Sequence, residues 1–92
     1  MRLDKYLKVS RILKRRTVAN ELADNGRVMI NGKVAKPSAA VEPGDELEVV
    51  FGNRRLKVKV LSLEMNVKKS EASSLYEVLE ESYISRKEDL DV

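Results

Sequence analysis

The chain has 92 residues, with 18 Lys plus Arg against 15 Asp plus Glu, and neither Cys nor His. A chain of this length allows one small domain, or one domain plus a tail, and buries only about 60–65% of its unfolded surface. The missing Cys and His exclude disulfides, thiolate zinc sites, Cys nucleophiles and His general bases. No apolar run approaches the roughly 20 residues that a membrane-spanning helix needs, and Met1–Arg11 lacks the apolar core of a signal peptide, so a cytoplasmic location is expected.

The net charge of +3 conceals an asymmetry. Residues 1–36 hold ten basic and three acidic side chains, residues 37–59 hold four of each, and residues 60–92 hold four basic and eight acidic. A cationic N-terminal third points to a polyanionic partner, nucleic acid first and anionic lipid second.

Taken in order, Arg2–Ser10 reads as a short helix with Leu3, Tyr6, Leu7 and Ser10 on one side. Asp4 is spaced to pair with Lys8 on it. Thr17–Asn25 reads as a second helix, with Thr17 as N-cap, an apolar stripe of Val18, Ala19, Leu22 and Ala23, and Asn25-Gly26 as the stop. Arg27–Lys36 reads as a hairpin turning at Asn31-Gly32, the favoured two-residue type I′ sequence. Residues 37–46 form a loop with a Pro43-Gly44 turn.

A second hairpin runs through Leu47–Phe51 and Arg54–Leu61 across Gly52-Asn53. Its register sets Val49 opposite Leu56 and Leu47 opposite Val58 on one face. On the other it sets Glu48 opposite Lys57 and Glu46 opposite Lys59. Ser70–Ser82 reads as a third helix carrying Leu75, Val78 and Leu79, with Ser74 and Glu77 as a capping box. Residues 85–92 are polar and read as a frayed tail.

The scattered carboxylates form neither a pair nor an oxygen cluster. No catalytic residue, metal site or cofactor is therefore expected, and the chain reads as a non-enzyme. The basic residues carry more information. Lys57 and Lys59 face acidic cross-strand partners and read as a neutralised sheet surface. Lys14-Arg15-Arg16 precedes a helix N-terminus, where the macrodipole makes each cation unfavourable by about 0.3–1 kcal/mol and where backbone N–H groups attract anions. Such a local conflict marks a functional site. Arg27 and Lys36 fall opposite each other across the first hairpin, and they repel unless they splay into water or an anion lies between them. Tyr6 and Phe51 sit on apolar faces, so the chain lacks the aromatic platform of a single-strand binder. Its cations suit the phosphates and shape of folded or double-helical RNA.

Several segments in this order resemble a known family: Arg2-Leu3-Asp4-Lys5-Tyr6-Leu7, Arg15-Arg16-Thr17 opening a helix, Asn25-Gly26-Arg27-Val28-Met29-Ile30-Asn31-Gly32, Lys36-Pro37-Ser38 and Pro43-Gly44-Asp45. They resemble the alpha-L RNA-binding domain family, the ribosomal protein S-four type, over residues 1–52. The chain is similar to that family's short stand-alone RqcP (YabO) group, which is related to bacterial heat-shock protein fifteen.

The resemblance implies an α+β fold, with two N-terminal helices on a short antiparallel sheet plus a C-terminal helix. The expected division is a domain over 1–66, a helix over 67–84 and a flexible tail over 85–92. It also implies a factor of ribosome-associated quality control, with a monomer as the default expectation. Such a factor binds large-subunit rRNA and peptidyl-tRNA on obstructed large ribosomal subunits. It supports mRNA-independent alanine tailing together with an RqcH-like tailing factor, away from any membrane. By motif position Arg2 and Arg16 are the first RNA contacts, Lys5, Arg11, Lys14 and Arg15 the second rank, and Arg27 and Lys36 the rim, with Asp4 structural. The alternatives are a heat-shock-protein-fifteen-like recycling factor and a protein adaptor docking through the acidic C-terminal helix.

Overall fold

Leu3, Tyr6, Leu7 and Ser10 recur at helical spacing; the first three lie in α1, Leu3–Val9, and join the core, and Ser10 is its buried C-cap. The computed structural model describes residues 1–64 and 68–83. Because Arg2 caps α1 without a side-chain bond, the first amides of the helix need other acceptors. The following loop supplies them. Leu3 N–H donates to the Ala39 carbonyl at 2.8 Å and Asp4 N–H to the Pro37 carbonyl at 3.1 Å, and a single β-bridge joins Arg2 to Ala40.

Helix α2 spans Arg16–Asp24, two residues earlier than Thr17 as N-cap would give. Arg15 holds the cap position in an extended conformation, and Arg16 is helical while its guanidinium reaches Asp4. Ala19 and Ala23 are buried and Leu22 is half-buried, but Val18 is 39% exposed, so the apolar stripe is narrower than the spacing suggests. The helix stops as expected. Gly26 takes φ +74°, Arg27 N–H donates to the Leu22 carbonyl and Gly26 N–H to the Ala23 carbonyl, which is the Schellman arrangement.

Among the described residues five antiparallel strands form one sheet: β1 Val28–Ile30, β2 Lys33–Val34, β3 Glu46–Phe51, β4 Arg54–Val60 and β5 Tyr76–Tyr83, in the order β2-β1-β3-β4-β5. Asn31 at φ +52° and Gly32 at φ +84° make the expected type I′ turn between β1 and β2. The register of β3 on β4 is the one read from the pattern, including Val49 opposite Leu56 and Glu48 opposite Lys57. Val28, Leu47, Val49, Leu56, Val58 and Val60 therefore point inward and meet Leu3, Tyr6, Leu7, Ala19 and Ala23. The outward rows run Glu46–Lys59–Glu77 and Glu48–Lys57–Glu80. Ion pairs of 2.9 Å from Arg55 to Glu48 and 3.5 Å from Lys57 to Glu46 lie on this outer face.

The C-terminal helix expected over 70–82 is absent. Lys69–Leu75 forms a 3-10 helix, and Tyr76–Tyr83 pairs with β4 instead. Ser74 builds no capping box with Glu77, since its hydroxyl donates to the Glu71 carbonyl at 2.6 Å. The Leu75, Val78 and Leu79 spacing suits a helix locally, but the ladder to β4 and the opposed Lys59–Glu77 and Lys57–Glu80 pairs are non-local and override it. Only Leu75 is buried, whereas Val78 and Leu79 stay 50% and 43% exposed. Three glutamates and a register shift at Lys57/Val58 mark this edge strand, devices that discourage pairing with another chain. The expected tail over 85–92 lies outside the described residues. No helix among the described residues is long and apolar enough to cross a membrane.

Leu75 is where α1 holds this segment down. Its carbonyl accepts the Tyr6 hydroxyl at 2.7 Å together with the Leu61 and Ser62 amides. Burial of the Tyr6 phenol, with a smaller effect from Tyr76, pushes its pKa well above the ordinary tyrosine value. Replacing Tyr6 by Phe is expected to cost about 1 kcal/mol and to lower Tm by about 4–8 °C in a thermal melt. An unchanged Tm would show that the hydroxyl does not anchor the segment.

Candidate nucleic-acid interface

The first helix and the start of the second meet at Asp4. The residue is 2% exposed, in a surface otherwise rich in cations. Its Oδ1 accepts from the Lys5 amide at 2.8 Å, from Arg2 Nε at 3.3 Å and from an Arg16 terminal nitrogen at 3.4 Å. Its Oδ2 accepts from an Arg2 terminal nitrogen and from the Asn20 amide, both at 3.3 Å. The expected partner, Lys8, is not among them, because Asp4 points toward α2 and not along its own helix. Burial opposes ionisation of Asp4. Hydrogen bonds from Asn20 and Arg16 and the charges of Arg16 and Arg2 outweigh it, so the carboxyl titrates below its ordinary value of 3.8.

The two guanidinium groups are held at one side and open at the other. The Arg2 and Arg16 side chains keep 51% and 45% of their exposure beside a carboxylate with only 3%. An open hollow lined by Asp4, Thr17, Asn20 and Glu21 lies beside Arg16. Arg15 makes no side-chain cap, and the first bond inside α2 is Ala19 N–H to the Arg15 carbonyl. The earlier amides of α2 thus lack intrahelical acceptors, which adds positive potential beside the two arginines.

The other candidate residues distribute around this pair. Lys5 is half-buried on α1, one residue past Asp4. Arg11, Lys14 and Arg15 are exposed in the connection between the helices. Lys36 is exposed next to Pro37, whose carbonyl bonds the Asp4 amide, so it sits near the start of α1. Arg27 is exposed beyond the other end of α2, about 12 Å of helix away from Arg16. The β1–β2 ladder reaches Ala35 N–H to the Val28 carbonyl, one step short of Arg27 and Lys36. Among the described residues none of Lys5, Arg11, Lys14, Arg15, Arg27 and Lys36 forms an ion pair, in contrast to Arg55 and Lys57 on the outer sheet face.

Two features of the site have no local signal in the sequence. Asn20 joins it only because α2 packs on α1. Arg11 has φ +61°, a left-handed conformation that costs a non-glycine residue about 1–2 kcal/mol. Arg11 N–H bonds the Lys8 carbonyl and Leu13 N–H the Leu7 carbonyl, so the strained residue turns the chain off α1 toward α2.

Residues 1–47 match the S4 domain family. The chain is 52% identical to the RQC P-site tRNA stabilizing factor of Streptococcus pneumoniae, over 91% of this chain and 96% of that relative. This chain belongs to the family of the RQC P-site tRNA stabilizing factors, built on an S4 domain. It is also 40% identical to heat shock protein 15 of Escherichia coli, over 94% of this chain and 65% of that protein. The fold matches the trimeric structure of Vibrio cholerae heat shock protein 15 with a TM-score of 0.78 at 32% identity, covering 85% of this chain and 80% of that one.

Two outcomes follow from the site's geometry. Because the folded pKa of Asp4 is depressed, its stabilisation is present above the unfolded value and is lost as pH falls through the lower folded one. Between about pH 5 and pH 3 the Tm of the wild type is expected to fall more steeply than that of Asp4→Asn; parallel curves would remove the assignment. Replacing Arg11 by Gly is expected to raise stability by about 0.5–1 kcal/mol in urea unfolding. A loss of stability would show that the Arg11 side chain, not its backbone, holds the turn.

Proposed function

We propose that this chain is a non-enzymatic RNA-binding factor of ribosome-associated quality control. In this reading it binds rRNA and peptidyl-tRNA on obstructed large ribosomal subunits in the cytoplasm, and supports mRNA-independent alanine tailing alongside an RqcH-like factor. The observation that carries it is the half-exposed Arg2–Arg16 pair, fixed from two helices by one buried carboxylate and surrounded by cations that form no ion pair among the described residues. Planar guanidinium groups held at a defined spacing suit the phosphates of a folded RNA. The family name given to the Streptococcus pneumoniae relative, a P-site tRNA stabilizing factor, supports tRNA as one of the ligands. The outer sheet face, with its opposed acidic and basic rows, suits solvent better than RNA.

A recycling role like that of heat shock protein 15 is the second reading. What favours it is the 40% identity to the Escherichia coli protein, which exceeds chance but falls below the 52% to the stabilizing factor.

The tagged chain is expected to sediment with free large subunits and tRNA on a sucrose gradient of a bacterial lysate. Arg2→Ala and Arg16→Ala are expected to move it to the top of the gradient while leaving its circular dichroism unchanged. About five phosphate contacts give a log–log salt slope of roughly −3.5 to −4.5. A slope near zero, or mutants that bind like the wild type, would exclude this interface.

A further inference from the structure

We propose that Asp4 is a positioning residue for RNA, an anion required at a cationic interface because it sets the orientation of Arg2 and Arg16. The inference rests on the RNA-binding reading above and deepens it. Coulomb's law alone argues the opposite. A carboxylate beneath a phosphate-binding surface lowers the local positive potential, so neutralising it should tighten binding.

The geometry explains why the opposite sign is expected. Arg2 sits at the cap of α1 and Arg16 in the first turn of α2, on segments 14 residues apart in sequence. The Asp4 carboxylate contacts both guanidinium groups, Arg2 through Nε and a terminal nitrogen and Arg16 through a terminal nitrogen. Asn20 and the Lys5 amide fix the carboxylate itself, so it is no freer to swing than the backbone around it. Arg2 and Arg16 each keep about half of their side-chain surface in solvent. Each is a long side chain whose immobilisation on binding is costly when it starts free and much less so when it starts held. Asparagine cannot reproduce the arrangement. Whichever way its amide turns, an NH2 donor faces the donors of Arg2 together with those of either Asn20 or Arg16, and the charge that draws both guanidinium groups is gone.

The test measures binding to purified large ribosomal subunits at about 150 mM salt, with Asp4→Asn, the Arg2→Ala/Arg16→Ala double variant and the triple variant compared with the wild type. Asp4→Asn is expected to bind about 10-fold more weakly, the change that follows from losing the pre-ordering of two side chains. Its salt slope is expected to match the wild type, because the phosphate contacts are still made. In the Arg2→Ala/Arg16→Ala background the same substitution is expected to change affinity less than 2-fold, which a general loss of fold would not give. Nitrogen-15 spectra of the wild-type protein are expected to show slowly exchanging, resolved Arg Nε–H signals for Arg2 and Arg16. Those signals read the proposal even where Asp4→Asn fails to fold, and Asn20→Ala, which removes one donor to the carboxylate and no charge, then serves for affinity, with about 3-fold weaker binding expected. Asp4→Asn binding as tightly as the wild type or tighter would overturn the proposal. So would a 10-fold loss that persists without the two arginines, or Arg2 and Arg16 signals that exchange like free arginine. A wild-type chain that does not bind large subunits at all would instead remove the RNA reading, and this inference with it.

Discussion

A carboxylate that is 2% exposed stays ionised only where its surroundings return what water provided. For Asp4 they do so through five hydrogen bonds, from Arg2, Lys5, Arg16 and Asn20. Those donors come from the cap of α1, the body of α1 and two turns of α2. The one anion therefore fixes how the two helices sit on each other and which way two cations face. The stabilising term and the binding surface share the same atoms. The Lys14-Arg15-Arg16 run, unfavourable beside a helix N-terminus, becomes tolerable because one of its members is paired with Asp4 and the others project into solvent.

The sheet does the complementary work. Its inner face packs on the helices through Val28, Leu47, Val49, Leu56 and Val58, and its outer face alternates Glu and Lys across β3, β4 and β5. Basic residues from the middle of the chain are thus matched where they lie, while most of those in the first 36 residues are gathered on and beside the helices. The chain's modest net charge coexists with a concentrated cationic surface, which is the condition for binding a polyanion by position as well as by total charge. Tyr6 connects the two halves, since its ring fills the core under α1 and its hydroxyl holds the Leu75 carbonyl at the start of β5.

How much of this was legible depended on the range of the interaction concerned. Both hairpins were, because Asn31-Gly32 and Gly52-Asn53 set the turn and period-two alternation sets the register. The two helices were legible to within a residue, and Arg2 and Arg16 came from the motif. The last strand was not. Leu75, Val78 and Leu79 carry helical spacing, and only the β4 partner 16 or more residues earlier makes Tyr76–Tyr83 extended. Asp4 was read as an i,i+4 partner of Lys8, since a contact to Asn20 across two helices leaves no trace in local spacing. The left-handed Arg11 likewise follows from the angle at which α1 must hand over to α2.

The most direct measurement is photo-crosslinking of the chain to large ribosomal subunits that carry peptidyl-tRNA, with the crosslinked positions read by mass spectrometry. Crosslinks to RNA are expected at Arg2, Lys5, Arg11 and the Lys14-Arg15-Arg16 run, with Glu48, Lys57 and Glu80 on the outer sheet face left without them. Crosslinks concentrated on that outer face, with the helices silent, would contradict this interface.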